Sequence, residues 1–270
     1  MIDSHCHLDD YENLAEILAH AEEAGVHQLL AIGIGDGPDT MHRALEISHA
    51  HPQVFATAGI HPQEAHRAIP EALAKLETLV NDPRCIAIGE IGLDYYHLTN
   101  PDIATQQAAF IAQLAIAAAA RKPITIHVRT SELAIPAARA RYGSADAWED
   151  LLTILSDHWK LPGIMHCFSG NQSQADRALA AGFYLSFAGN LTYPKSTTIQ
   201  SIASTVPADR ILIETDAPFL TPTPLRGQPN QPAYITHTAA FLATLRNITP
   251  ATLSTQTTQN FHTLFPTTKP

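Results

Sequence analysis

"MIDSHCHLD", residues 1–9, decides how the rest of the chain is read. Ile2 opens an apolar strand, and in extended backbone residues two apart share a face, so His5 and His7 project side by side as two arms of a chelate. Two imidazoles do not complete a catalytic centre, because a catalytic metal takes three or more protein ligands and keeps a position open for water. The remaining ligands must come from elsewhere in the chain.

Downstream, apolar runs alternate with helical periodicity. Residues 12–24 carry Leu14, Ile17, Leu18 and Ala21 at helical spacing and stop at Gly25. "QLLAIGI" (28–34) is a short continuous run, the pattern of a strand buried on both faces. A helix over 39–50, the strand "VFATAGIHP" (54–62) and helical spacing over 64–80, interrupted at Pro70, follow. Next come "CIAIGEIGLDYY" (85–96), a long helix at 102–120, "ITIHVR" (124–129) and a helical stretch to about 159 punctuated by Pro136 and Gly143. "GIMHCFSG" (163–170), a helix at 172–181, "FYLSFAGN" (183–190) and "ILIETDAP" (211–218) bring the strand count to eight. A short helix near 249–263 and a loose tail at 266–270 end the chain, with residues 1–265 as one domain.

Eight strands joined by crossovers long enough to hold helices predict an α/β fold, a single (β/α)8 barrel of the triosephosphate-isomerase (TIM) type. No GxGxxG turn follows the first strand, which removes the main mark of a doubly wound open sheet. His5, His7, Glu90, His127, His166 and Asp216 all fall at or just past the C-terminal ends of strands, where barrel enzymes build active sites.

Composition narrows the class. At 270 residues, with 45% hydrophobic and 16% charged, the chain suits a globular enzyme rather than a disordered one. No apolar run reaches the roughly 18 residues of a membrane span, the alanine-rich stretch being broken by Gln113 and ended by Arg121 and Lys122, and no signal peptide precedes the first strand. Cys6, Cys85 and Cys167 cannot all pair, which suits a reducing cytoplasm. A formal charge of −10 argues against a broad nucleic-acid surface, so a nucleic-acid substrate must be gripped locally.

Four imidazoles and two carboxylates without thiolates suit zinc, manganese or magnesium. Six ligands are too many for one tetrahedral ion and fit two ions about 3.5 to 4 Å apart. Glu90 is the expected bridge, His5, His7 and Asp216 serve one ion, and His127 and His166 the other. A bridging water is the nucleophile, with Asp216 able to accept its proton, and the target is a phosphoryl or carbonyl centre.

"IDSHCHLD" (2–9), "AGIHPQEA" (58–65), "IGEIGLDYY" (88–96), "PITIHVR" (123–129), "MHCFSG" (165–170) and "ILIETDAPFLTPTPLRG" (211–227) together resemble the TatD-like metal-dependent deoxyribonucleases of the amidohydrolase superfamily. The resemblance covers residues 1 to about 265. It implies a cytoplasmic, divalent-metal-dependent phosphodiesterase with 3'-to-5' exonuclease character, acting on DNA single strands or 3' ends, with the same six ligands. It further implies that His61, Arg129, Asn190, Arg226 and Asn230 line or support the substrate site and that Asp94 stands behind a ligand imidazole. The sequence departs from the family pattern at "TSELA" (130–134), in the segment before His166, and at Leu225 and Gln228, which thins the cations near the pocket.

Read without the resemblance, several of these residues carry two meanings. His61 before Pro62 is equally a turn former, Asp94 a loop cap, and Arg129 either a phosphate clamp on the face of His127 or half of a salt bridge. Arg226 and Asn230 sit in a proline-rich loop that is a lid or rigid packing, and Tyr95 and Tyr96 are base-stacking groups or barrel filler. Two other functions compete: a hydrolase of the same superfamily acting on a small amide, lactone or phosphoester, and a non-catalytic metal- or partner-binding protein. The absence of a lysine on strand four, where many such hydrolases carry a carboxylated one, favours the nuclease. A monomer without membrane attachment is the expected state.

Overall fold

In the computed structural model, which describes residues 1–130 and 136–268, eight parallel strands pair in chain order. They are β1 (Ile2–Cys6), β2 (Gln28–Ala31), β3 (Val54–Ala58), β4 (Cys85–Asp94), β5 (Ile124–Arg129), β6 (Gly163–Met165), β7 (Tyr184–Phe187) and β8 (Ile211–Ile213). Outside them run α1 (Leu14–Glu23), α2 (Arg43–Ala50), α3 (Pro70–Leu79), α4 (Ile103–Ala120), α5 (Pro136–Tyr142), α6 (Ala147–His158), α7 (Gln172–Ala180), α8 (Thr197–Thr205), α9 (Ile235–Leu245) and α10 (Pro250–Leu264). The circle closes between β1 and the chain just past β8, where Cys6 bridges Ala217, so the predicted barrel is what forms.

The seam that closes the barrel also sets the site. Asp216 N donates to His5 O at 3.0 Å and His7 N donates to Ala217 O at 2.8 Å, so the backbone fixes the Asp216 loop against both histidines. Ile2 packs in an inner cluster with Leu30, Phe55, Ile86, Ile164, Tyr184 and Leu212, floored by Phe261, Leu264 and Phe265 of the C-terminal region. Ile2 and His5 have opposite strand parity, and a register shift between Asp3 and Cys6 lets the chain fill the core first and supply ligands afterwards.

Several elements differ from the sequence reading. Pro70 does not interrupt a helix. It starts α3 at the first helical position, where its missing N–H costs nothing, after a separate 3-10 turn at Pro62–Arg67. The helix expected from 39 begins at Arg43, and the C-terminal one is a full α10 capped by the Thr249 hydroxyl. Two helices, α8 and α9, were not read at all. The tail is not loose as far as Thr268, which is buried and accepts from Gln28 Nε2 at 3.0 Å.

α4 also corrects the expectation that no run is long and apolar enough for a membrane, since its eighteen residues pass by length and composition. Two of its glutamines, Gln106 and Gln113, are buried against the barrel instead. Gln113 Oε1 accepts from Ile60 N at 2.7 Å while its Nε2 donates to Ile60 O at 3.0 Å, and Gln106 Oε1 accepts from Asp94 N at 2.8 Å. Gln113, which breaks the apolar run, therefore holds the backbone beside His61, and Gln106 holds it at Asp94.

Candidate metal centre

The six predicted ligands meet at the C-terminal mouth of the barrel. Glu90 is at their centre, 3% exposed, with its two oxygens turned to different partners. Oε2 lies 3.4 Å from His5 Nε2 and 4.0 Å from His7 Nε2; Oε1 lies 2.6 Å from His127 Nδ1, 2.9 Å from His166 Nε2 and 3.6 Å from His61 Nε2. Asp216 Oδ1 stands 3.6 Å from His5 Nε2 and 3.5 Å from His7 Nε2.

The fit to a cation rests on atoms that have no other use. His5 is fully buried, yet neither of its ring nitrogens makes a hydrogen bond, and His127 Nε2 is likewise unbonded. Donor atoms that share an ion at about 2.1 Å lie roughly 3 to 3.5 Å apart, and the 3.4 and 3.6 Å separations around His5 are close to that spacing and longer than a good hydrogen bond. Three sets of donors fall close enough to serve one ion each: His5, His7 and Asp216; His5, His166 and Glu214; and His61, Glu90 and His127.

The first set is the one expected. The second ligand group is not, because the close set around His127 takes in His61 rather than His166. His61, expected on the substrate side, stands inside the cluster with its ring 4.5 Å from that of His127. Glu214 was missed altogether. Fully buried, its Oε1 faces His166 Nδ1 at 3.2 Å and accepts from Cys167 N at 2.7 Å, which turns His166 Nε2 toward Glu90. Asp3 was also missed; it accepts from Thr215 N at 3.0 Å and from the Thr215 hydroxyl, tying β1 to the loop that carries Asp216.

Asp94 Oδ1 accepts from Tyr96 N at 2.8 Å and caps the loop, while Oδ2 lies 3.5 Å from His127 Nε2. Arg129 and Arg226 are exposed and pair with no carboxylate among the described residues; each lies over a tyrosine ring instead, Arg129 at 3.6 Å from Tyr96 and Arg226 at 4.1 Å from Tyr193. Asn190 reaches toward Cys167 Sγ at 3.5 Å, beside His166. Asn230 does not line the substrate site: it is fully buried, and its amide donates to Thr215 O at 2.9 Å and to Phe219 O. Tyr95 is also fully buried, its hydroxyl bonded to Asp150 at 2.9 Å, so it cannot meet a base. Of "TSELA", residues 131–134 lie outside the described residues.

Charge in the cluster is mutually supported. Burial opposes ionisation of Glu90, but His166, His61 and His127 hold it well below the usual carboxylate range. Burial likewise opposes a proton on His127, and the carboxylates of Asp94 and Glu90 outweigh it, raising the imidazole to about 9. A raised imidazole stabilises the cation-free fold fully below its ordinary 6.5, and that contribution disappears as pH rises through about 9. A cation held by His127 would need the neutral imidazole, so its loading at pH 7 would expel the His127 proton. Calorimetry in buffers of different ionisation enthalpy is expected to show proton release, with affinity rising between pH 6.5 and 9; pH-independent affinity would contradict it.

Glu214→Gln tests the orientation of His166. Loss of a carboxylate behind a ligand imidazole is expected to weaken cation affinity and turnover by about 10- to 100-fold. Equal affinity in the variant, measured by metal titration, would show that His166 is aimed by something else.

A closed parallel barrel with a carboxylate-centred imidazole cluster at its C-terminal mouth defines a metal-dependent hydrolase. Comparison with known proteins agrees. Residues 2–266 match the family described as TatD related DNase. The "Uncharacterized metal-dependent hydrolase YabD" of Bacillus subtilis is 35% identical over 98% of both chains. The "3'-5' ssDNA/RNA exonuclease TatD" of Klebsiella pneumoniae is 33% identical over 93% of this chain and 90% of its own length. The crystal structure of YJJV, a TatD homolog from Escherichia coli, superposes with a TM-score of 0.85 at 25% identity over 98% of each chain. The chain belongs to the TatD-related DNase family.

Proposed function

We propose that this chain is a divalent-cation-dependent phosphodiesterase that removes nucleotides from single-stranded DNA or 3' ends in the 3'-to-5' direction, with two cations, zinc, magnesium or manganese, served by Glu90 from its two oxygens. The observation that carries the reading is the division of Glu90: one oxygen turned to His5 and His7, the other to His61, His127 and His166, around a buried imidazole with no hydrogen bond of its own. The name of the Klebsiella relative supports a nucleic-acid substrate.

Divalent cations in such a site supply a Lewis acid for a phosphoryl oxygen and a water of lowered pKa. The protein's own groups do the rest. Burial resists charge on Asp216, but the His7 hydrogen bond and the neighbouring imidazoles hold its carboxyl below the ordinary value, so it is an ionised acceptor for the proton of the attacking water. His5, His7, His61, His127 and His166 present nitrogens whose directions are set by the barrel seam, Asp94 and Glu214. Arg129 and Arg226, two of the exposed cations at strand ends and in loops that follow strands, meet phosphates on either side of the scissile one, the local grip that a chain of net charge −10 requires. The three cysteines are free, which fits a reducing cytoplasm, and a monomer presents the complete site.

The test is nucleotide release from single-stranded DNA and from a small phosphodiester, each with manganese and with chelator. Chelator-sensitive release from DNA is expected. Cleavage only of small esters or amides, or release that survives the chelator, would overturn the reading.

A further inference from the structure

Large hydrophobic side chains are exposed at three places among the described residues: Ile69, Leu98 and Phe219. All three lie in loops that follow strands, after β3, β4 and β8, and so ring the mouth that holds the ligand cluster. Phe219 is the most exposed, at 55%, and its ring stands edge-on to that of His7 at 5.8 Å.

That exposure is built in. Phe219 N donates to Asp216 O at 2.8 Å, its carbonyl accepts from the buried Asn230 amide, and Asn230 N donates to Pro218 O at 3.0 Å. Beneath the loop, Gly189 leaves the room the turn needs, since a Cβ there would lie 2.0 Å from Leu220 O. A fully buried asparagine and a glycine contact thus hold an apolar ring out in water, against the roughly 2 kcal/mol that burying such a ring is worth. Several tyrosines in the loops that follow strands are engaged: Tyr95 is buried, Tyr11 donates its hydroxyl to Asn230 O, Tyr96 carries Arg129 on its face and Tyr193 carries Arg226.

We propose that Phe219 is the platform on which the base beside the scissile phosphate stacks, so that the mouth binds a nucleoside as well as a phosphate. The proposal rests on the nuclease reading and deepens it. A phosphate held at the edge of the cluster that His7 lines carries its own nucleoside across the neighbouring ring, and the flanking guanidiniums of Arg129 and Arg226 take the next phosphates. Stacking is indifferent to base identity, because every base has a π-face, so such a platform serves an enzyme that must accept any sequence. It also explains how an acidic protein retains a strand with two exposed arginines at the mouth.

The experiment compares wild type, Phe219→Ala and Phe219→Trp, with manganese, on a short single-stranded oligonucleotide and on versions lacking the base at the 3'-terminal or the penultimate residue. For the wild type, removing one of these two bases should lower kcat/KM by about 10-fold or more, the range of one lost stack. Phe219→Ala should show that loss on the intact strand, mainly in KM, and should no longer respond to the missing base; Phe219→Trp should restore the response. If Phe219→Ala keeps the wild-type preference for the base, or slows intact and abasic strands alike, the platform is refuted. A wild type that releases no nucleotide from any strand overturns the nuclease reading, and the platform with it.

Discussion

Glu90→Gln is expected to lower metal-dependent kcat/KM by about a thousandfold or more while the barrel stays folded. The side chains have the same shape, and Glu90 is buried at the centre of five imidazoles, so the change removes charge and one acceptor without opening a cavity. A glutamine can accept through one atom only; its NH2 would face one of the two histidine sets as a donor where an acceptor stood. Metal titration should then show the loss of at least one tight site. Retention of more than about a tenth of the wild-type activity would mean that Glu90 is a hydrogen-bonding brace and not part of the ligand set.

Asp216→Asn should cost a similar factor of about a thousand, and for a separable reason. The loop is held by backbone bonds to β1, by the Asp3 carboxylate on Thr215 and by Asn230, none of which the substitution touches. What changes is the charge beside His7 and the acceptor for a proton. Because the wild-type carboxyl is held below its ordinary value, activity is present above that lowered value and falls as acid protonates the group. The residual activity of Asp216→Asn should lack this acidic limb. An unchanged pH profile would assign the limb to another residue.

The architecture and the six convergent residues were legible because titratable side chains punctuate the apolar runs near their C-terminal ends, although Glu90 lies inside β4, with Ile91–Asp94 still to follow in the strand. Beyond a strand end that signal stops. β8 ends at Ile213, so alternation no longer says which way Glu214 or Asp216 points, and the carboxylate that steers His166 went unread beside the one that faces the mouth. His61 was ambiguous for the same reason, lying three residues past β3, where Gln113 on α4 holds the neighbouring Ile60. The proline-rich segment after β8 gave no way to know that Asn230 folds inward and Phe219 outward; that division is made by hydrogen bonds between residues eleven and fifteen apart. α8, rich in threonine and serine, has weak intrinsic propensity and is helical because Ile199, Ile202 and Ala203 pack against the barrel.

Anomalous scattering from crystals grown with manganese addresses the central claim directly. Two peaks are expected, about 3.5 to 4 Å apart and on either side of the Glu90 carboxylate, one reached by His5, His7 and Asp216 and the other by His127. Their absence from the mouth, or density that leaves Glu90 without contact to any ion, would contradict the assignment of this cluster as a hydrolytic metal centre.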